Sequence, residues 1–481
     1  MPGGPFRARG GEPGKEGGMN LSRALVEHAH AIRYDTLPEE ARDRAKYFLL
    51  DFLGVTLRAG EAASSRVLHA FIRKRAPQEG PCTVIGSDLR TDAPHAALAN
   101  GGVAHAIEMD DVTTRSSLHP AVSVMPSTLA VAEAHQPDPK RVIAAIVAGY
   151  EVTNRLGNAV NPTSHYDRGF HPTGTCGTFA SSVTASKMLG LSLDATANAF
   201  GIAGSQAAGS MQYYDNGAWT KRLHPGWAAH SGVVAAYLAQ EGYTGPEDIL
   251  GGRFGFLHGY SDGAHPEYVL ERLGEYWEIC LSAIKPHACC RYNHAAVDAV
   301  VRLCKEHDIR PGEVKRVEVR VPETSVMVVI EPGAIKNAPQ NVVDAQFSLP
   351  YAVAVALLRR RAGLEEYQDD FLRSQVHRSM IDKINCLGDA GMEKEFPDKW
   401  QARVRIDTAR GAFEAHQEYP KGDPRNPLSW EELIERFHDL TGPVLEAGAR
   451  RLLVERVRGL EKLRGIGEVM ELVAVAERAR A

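Results

Sequence analysis

Arg316-Val317-Glu318-Val319-Arg320-Val321 alternates charge with valine at every step. Successive side chains of a strand point to opposite faces, so this run predicts a strand with one buried and one wetted face. The same texture returns where Val404 and Ile406 alternate with Arg403, Arg405 and Asp407. A loop at Ala409-Arg410-Gly411 then leads into Ala412-Phe413-Glu414-Ala415, which predicts a hairpin. Between these strands the spacing predicts a helix at about 344–361, ending in Arg359-Arg360-Arg361. Residues 280–421 therefore read as a small α+β domain.

Outward from this segment the chain is helical. Thr36-Leu37-Pro38-Glu39 opens a helix with proline near its first turn, Ala41, Ala45, Phe48, Leu49, Phe52 and Leu53 mark its apolar face, and Gly60 closes it. Further periodic stretches lie at 63–75, 93–107, 121–135, 140–157, 174–190 and 226–241. The small residues of Gly201 to Gly209 read as close helix packing rather than as a phosphate loop, because no strand precedes them. Beyond the strands, Ser429 stands three before Glu432 in a capping box, with Trp430, Leu433, Ile434, Phe437 and Leu440 on the apolar face that follows. The Arg/Glu-rich segment from there to Ala481 reads as a solvated helix face. The fold class is mainly α with an α+β second domain. A large discontinuous all-helical domain, 19–279 plus 422–481, carries a smaller inserted α+β domain at 280–421. Residues 1–18 (MPGGPFRARGGEPGKEGG) have nothing to bury and lack the apolar stretch of a secretory signal, so they are expected to form a disordered tail, with Met19 a candidate start.

The 481 residues suffice for two domains, and 44% apolar with 24% charged is ordinary for a globular chain. With 55 Lys plus Arg against 60 Asp plus Glu, the net charge of -5 gives no general attraction to nucleic acid or a membrane surface. Any bound anion must be captured by a local cluster. No run of about 18 apolar residues suggests a membrane span. The seven cysteines are odd in number and form no C-x-x-C. That argues for buried thiols in a reducing, cytoplasmic setting, and against a disulfide framework or structural zinc.

Four stretches concentrate His, Lys and acids. The first runs His105-Ala-Ile-Glu108-Met-Asp110-Asp111 and ends in His119-Pro120; its carboxylates close an Ala-rich helix at the end where the macrodipole disfavours them. In the second, Arg168-Gly-Phe-His171-Pro-Thr-Gly174, the histidine stands just before a helix start, where backbone donors suit an anion. The third places Lys221, Arg222 and His224 just ahead of another helix as a compact cationic patch. The fourth, Lys285-Pro-His287-Ala-Cys-Cys-Arg291-Tyr-Asn-His294, lies at the domain junction, a favoured place for a small-molecule cleft. A solvated loop, a structural histidine and a surface patch are the plain alternatives for the first three. Adjacent cysteines do not suit two tetrahedral zinc positions. The sequence lacks G-x-G-x-x-G, the P-loop, G-x-S-x-G and H-E-x-x-H, so nucleotide, esterase and zincin chemistry lose their usual anchors. What remains is acid–base chemistry by His, Lys and carboxylates on an anion.

At these same stretches the chain resembles the MmgE/PrpD family, from about Leu21 to the C-terminal helices. The family pattern H-a-x-D-x-D-D followed by H-P stands here as His105, Glu108, Asp110, Asp111 and His119-Pro120. The G-F-H-P-T, T-K-x-L-H-x-G and K-x-x-x-x-C-x-x-x-H patterns stand around His171, Lys221 and Lys285 to His294, and Phe347-Ser-Leu-Pro-Tyr351 also matches. Glu108 departs from the family's usual Asp by one methylene, and the loop before His119 is about one residue longer. The resemblance implies a cofactor-free, metal-independent homodimeric enzyme with a lid-like smaller domain and a site between the domains. It lines that site with His119, His171, Lys221, Lys285 and Tyr351, expected to be catalytic, and with the acidic loop of Glu108, Asp110 and Asp111. These acids, with Arg222, His224, Arg291 and His294 of the cationic stretches, are expected to bind substrate.

The expected chemistry is dehydration of a small hydroxy-polycarboxylate of the 2-methylcitrate type. Lys221 and Lys285 neutralise charge built on the carboxylates, His119 and His171 act as base and acid, and Tyr351 donates to the substrate. Decarboxylation or epimerisation of a related di- or tricarboxylate is the near alternative. A metal-dependent hydrolase using His105, Asp110, Asp111 and His119, and a non-catalytic binding protein, are alternatives of other classes.

Overall fold

A computed structural model describes residues 20–475 of the chain. The tail expected at 1–18 lies outside the described residues. The helices of the first half are α1 Leu21–Ala31, α2 Glu39–Ala59, α3 Ala63–Arg75, α4 Ala93–Ala104, α5 Ala121–His135, α6 Pro139–Ala159, α7 Pro162–Asp167, α8 Pro172–Leu189, α9 Leu193–Gly204, α10 Thr220–Gln240 and α11 Phe256–Tyr260. Their starts follow local chemistry. The Asn20 side chain accepts from the Arg23 amide at the head of α1, Asp92 does the same for His95 at the head of α4, and Pro38 and Gly60 bracket α2.

The buried centre of this domain is α8, which packs against α5, α6, α9 and α10. It is buried on nearly every face, so its polarity is turned inward: the Thr178 hydroxyl donates to the Gly174 carbonyl at 2.9 Å, and the Thr184 and Ser127 hydroxyls meet at 2.8 Å. Small residues set the helix spacing. A Cβ on Gly226 of α10 would stand 2.2 Å from the Leu98 carbonyl oxygen of α4, so only glycine permits that approach.

The second half carries α12 His294–Glu306, α13 Gly333–Lys336, α14 Val342–Gln346 and α15 Leu349–Arg359. The short pairs β1 Cys82–Thr83 with β2 Arg90–Thr91, and β3 Val112–Thr113 with β4 Ser282–Ala283, are antiparallel. The main sheet consists of β5 Val314–Pro322, β6 Ile384–Asp389, β7 Ala402–Thr408 and β8 Gly411–Gln417, in the order β6-β5-β7-β8. β5 runs parallel to β6 and antiparallel to β7, and β7–β8 is the expected hairpin. Val317, Val319, Val321, Val404 and Ile406 are buried in one apolar cluster with residues of α12 and α15.

The C-terminal helices Trp430–Thr441 and Ala447–Arg458 pack back on α2. Leu433, Phe437, Leu453 and Val457 share an apolar cluster with Phe48, Leu49 and Leu53. The Ser429–Glu432 capping box forms as expected.

Three expectations change. The helix at 344–361 is two helices, broken at Phe347-Ser348, where the Ser348 hydroxyl accepts from the Tyr351 amide at 3.1 Å and starts α15 afresh. The helix expected from 226 begins at Thr220, because Pro225 sits inside α10 rather than ahead of it. β6 has no counterpart in the sequence reading, since Ile384-Asn-Cys-Leu-Gly-Asp389 lacks a clean alternation. All seven cysteines are free, five of them buried. Among the described residues no helix is long and apolar enough to cross a membrane.

Candidate active site

Six chain segments converge between the helical domain and the α+β domain. After α4 ends at Ala104, residues 105–111 form a buried loop rather than a solvated one. Glu108 in this loop takes the left-handed φ of +56°, which an L residue adopts at a cost of about 1 kcal/mol. β3 follows the loop, and its pairing with β4 brings Lys285, two residues past β4, to the acids. His119 directly precedes the Pro120 that caps α5, His171 is the N-cap residue of α8, and Lys221 and His224 lie in the first turns of α10. Arg436 of the C-terminal helices holds the loop from behind: it donates to the Met109 carbonyl and to Asp51, each at 2.8 Å.

Glu108 receives two cations. Lys221 donates to one carboxylate oxygen, and the Lys285 ammonium lies 3.3 Å from the other. Lys285 also lies 3.8 Å from Asp110 Oδ1. The other oxygen of Asp110 faces two imidazoles, with His105 Nδ1 at 2.8 Å and His119 Nδ1 at 3.0 Å. His119 Nδ1 is also 2.7 Å from the Asp111 carbonyl. The His105 ring lies 4.8 Å from that of His119 and stacks on that of His171 at 5.8 Å. His171 Nδ1 stands 3.1 Å from His224 Nδ1. Tyr213 meets both of these rings near 6 Å, and Lys221 sits 5.0 Å over the Phe347 ring.

Burial would raise the Glu108 carboxyl, but Lys221 and Lys285 outweigh it and hold it well below the usual carboxylate range. Asp110 behaves alike, its burial outweighed first by His105 and His119 and then by Lys285. Burial pulls the Lys285 ammonium down, yet Asp110 and Glu108 leave it above its ordinary value. Burial presses His105 and His224 down to about 4 and His171 well below 6.5, with the neighbouring cations adding to the effect at the last two. These three imidazoles are neutral at neutral pH. The cluster thus holds two carboxylates balanced by two ammonium groups, beside neutral bases in largely buried surroundings.

Of the residues expected in the site, the structure brings together Glu108, Asp110, His119, His171, Lys221, His224 and Lys285. Five others are committed elsewhere. Asp111 accepts from the Tyr150 hydroxyl at 2.6 Å and the Ala121 amide at 3.0 Å, and burial raises its carboxyl well above the usual range, so it braces α5 and α6. Arg222 donates to the Ser64 hydroxyl, and Arg291 pairs with Asp423, both at 3.0 Å. His294 Nε2 lies 3.2 Å from the Cys289 carbonyl. Tyr351, expected to donate to substrate, faces the core of the α+β domain and gives its hydroxyl to the Glu366 carbonyl at 2.5 Å.

His105, Tyr213 and Phe347 join the cluster without having been assigned to it. His105 stood in the first stretch and Phe347 in a quoted motif, whereas nothing in Met211-Gln-Tyr-Tyr214 singles out Tyr213.

His105, Asp110 and His119 present ligand atoms within 4.8 Å of one another. Their arrangement suits hydrogen bonding better than a divalent cation. Both Nδ1 atoms aim at the same carboxylate oxygen, the Lys285 ammonium faces the other, and Asp111 is turned away to Tyr150.

Comparison with known proteins agrees with this architecture. Residues 23–269 match the sequence model of the MmgE/PrpD N-terminal domain, and residues 287–460 that of the MmgE/PrpD C-terminal domain. The chain is 27% identical to the cis-aconitate decarboxylase-like protein oryM of Aspergillus oryzae, over 95% of this chain and 97% of that protein. It is 27% identical to human cis-aconitate decarboxylase over 92% of each chain. The 2-methylcitrate dehydratase of Salmonella typhimurium is 23% identical, over 85% of this chain and 87% of its own length.

Proposed function

The chain belongs to the MmgE/PrpD family, and from that premise we propose that it is a lyase that decarboxylates a small unsaturated tricarboxylate of the cis-aconitate type. The observation that carries this reading is the convergence of Lys221 and Lys285 on one buried carboxylate, that of Glu108, beside a row of imidazoles. Two cations already arranged around a carboxylate are arranged for a substrate carboxylate. The greater coverage and identity of the cis-aconitate decarboxylases moves the preference from the dehydration expected of the sequence to decarboxylation.

In this reading the bond from an allylic CH2 to its carboxylate breaks and CO2 leaves. The electron pair spreads through the neighbouring double bond onto a remaining carboxylate, where Lys221 and Lys285 neutralise it. A proton from His171 or His119 then reaches the far carbon of the allyl system. The products are CO2 and a methylene dicarboxylate, with one proton consumed. Asp110 keeps His105 and His119 oriented by accepting from both Nδ1 positions. Cytoplasmic action without a cofactor belongs to the same proposal.

Dehydration of a 2-methylcitrate-type substrate is the second reading, favoured by the more distant relatives. It uses the same cations, with one imidazole taking a proton from carbon and another giving one to the leaving hydroxyl. One experiment separates the two. Purified protein is incubated with cis-aconitate and with 2-methylcitrate, while CO2 release and ultraviolet absorbance are followed. CO2 from cis-aconitate is the expected result. Absorbance gained from 2-methylcitrate without CO2 would replace it with dehydration, and no turnover of either would end both.

A further inference from the structure

We propose that His224 is a positioning residue that works through His171, the two imidazoles holding and passing one proton across their facing Nδ1 atoms. The inference rests on the lyase reading above for its catalytic part, but its structural part stands alone.

Two Nδ1 atoms 3.1 Å apart are at hydrogen-bond distance. Each neutral imidazole carries one N–H, on one nitrogen or the other. A neutral pair in this geometry holds one proton between the rings: one ring is an Nδ1–H donor, and the other keeps its lone pair at Nδ1 and its proton at Nε2. The groups facing the pair are His105, stacked on His171, Tyr213, in ring contact with both, and Lys221 and His119, whose charges act on His171. Lys221 and His105 act likewise on His224.

The surroundings hold the pair in place. The His171 amide donates to the Gly209 carbonyl at 2.8 Å. Gly174 and Gly209 pack against His224: a Cβ on Gly174 would come within 3.2 Å of His224 Cβ, and one on Gly209 within 3.4 Å of His224 Nδ1, so a side chain at either position would crowd that ring. Exposure gives the pair a direction. His171 is 2% exposed, whereas His224 is only half-buried, so His224 stands between the buried ring and water.

The proton count closes. In the neutral pair poised to donate, His171 carries Nε2–H and His224 carries Nδ1–H with its own Nε2 bare. When His171 Nε2 gives its proton to the substrate carbanion, the His224 Nδ1 proton passes to His171 Nδ1, and a proton from water fills Nε2 of the half-buried His224. Both rings end neutral, with His171 Nε2 bare. After product leaves, His224 Nε2 returns its proton to water, His171 Nδ1 gives its own back to His224 Nδ1, and water reprotonates His171 Nε2. The net uptake from water is the one proton that loss of CO2 from a tricarboxylate consumes. In the dehydration reading the same steps run in reverse to accept a proton from carbon.

The test uses the full chain. His224→Gln keeps a polar partner for His171 Nδ1 but cannot carry a proton. Expected are a 10- to 100-fold lower kcat, KM within about threefold of wild type, an unchanged melting temperature, a displaced pH profile of kcat, and partial rescue of kcat by added imidazole. An unchanged kcat and pH profile would overturn the proposal, as would a lower kcat with an unmoved pH profile and no rescue, which is the mark of a merely structural role. The second measurement needs no substrate. In protein labelled with 15N-histidine, long-range 15N–1H spectra report which nitrogen of each ring carries the proton, with His171→Gln and His224→Gln assigning the signals. One Nδ1–H ring in the pair is expected, and two Nε2–H rings would overturn the proposal. Should the enzyme turn over neither substrate while the spectra show the Nδ1–H ring, the lyase reading fails and the shared proton stands.

Discussion

Lys285 is almost wholly shielded from water, and its charge is kept by Glu108 at 3.3 Å and Asp110 at 3.8 Å. Replacing it with methionine conserves volume and removes one of the two cations proposed to neutralise developing charge. Steady-state kinetics of Lys285→Met are expected to show kcat/KM lowered by about 10²- to 10³-fold, the usual effect of losing one such group. His165 makes a different prediction. It is fully buried, its Nδ1 donates to the Tyr260 carbonyl and its Nε2 meets the Thr175 hydroxyl, both at 2.9 Å, and burial presses it down to about 4. Its folded value lies below its unfolded value near 6.5, so the unfolded chain binds the proton first as pH falls. Its stabilisation is complete above about pH 6.5 and is lost as pH falls from there towards 4. The stability gap between wild type and His165→Gln, measured by urea unfolding, should therefore shrink over that window, by about 3 kcal/mol in all. At this scale the sequence made the residue types legible but not their directions. Asp110 and Asp111 are neighbours in the chain, yet one faces the histidines and the other Tyr150, a partner 39 positions away. Only the folded path of the loop separates their roles.

Among the elements, α10 does most to place the site, because its first turns carry Lys221 and His224 while Gly226 seats it on α4. A methyl at Gly226 would meet backbone of Leu98 and Gly102, which cannot yield as a flexible side chain can. Gly226→Ala is expected to lose about 1–3 kcal/mol of stability by thermal or chemical melting, with a parallel loss of activity as α10 shifts. Gly448→Ala, inside the exposed helix Ala447–Arg458 with open space around it, should instead be neutral or gain up to about 1 kcal/mol. Helix interiors were legible because their apolar period is local: the spans read at 63–75 and 121–135 stand in the structure as α3 and α5. Boundaries at proline were less so, since Pro225 lies within α10 and Pro350 within the first turn of α15. β6 was hidden for another reason. It pairs in parallel beside β5, a long-range partnership that leaves little local trace.

Taken whole, the molecule gathers its charged cluster from segments as far apart as 105 and 285, with support from 436. The order of the motifs made the membership legible, and the change of texture near 280 made the second domain legible. Tyr351 illustrates the limit. A motif within the second domain implied a catalytic tyrosine, but that helix turns the side chain into its own core. Because the two lysines converge between the domains, a polycarboxylate that binds there should stabilise the fold as a unit. Saturating cis-aconitate, at about 100 times its Kd, is expected to add about 2.7 kcal/mol. Differential scanning fluorimetry would register this as a higher melting temperature for wild type and a smaller gain for Lys285→Met.

The brace from Arg436 to the Met109 carbonyl has a consequence for how the enzyme comes into being. During synthesis the acidic loop, the histidines and both lysines leave the ribosome well before the residue that steadies the loop. A nascent chain ending before the helix Trp430–Thr441 would own the whole charged cluster and lack its brace. Activity should therefore emerge late in translation, when the last helices close on α2, rather than when the last residue of the cluster has been made.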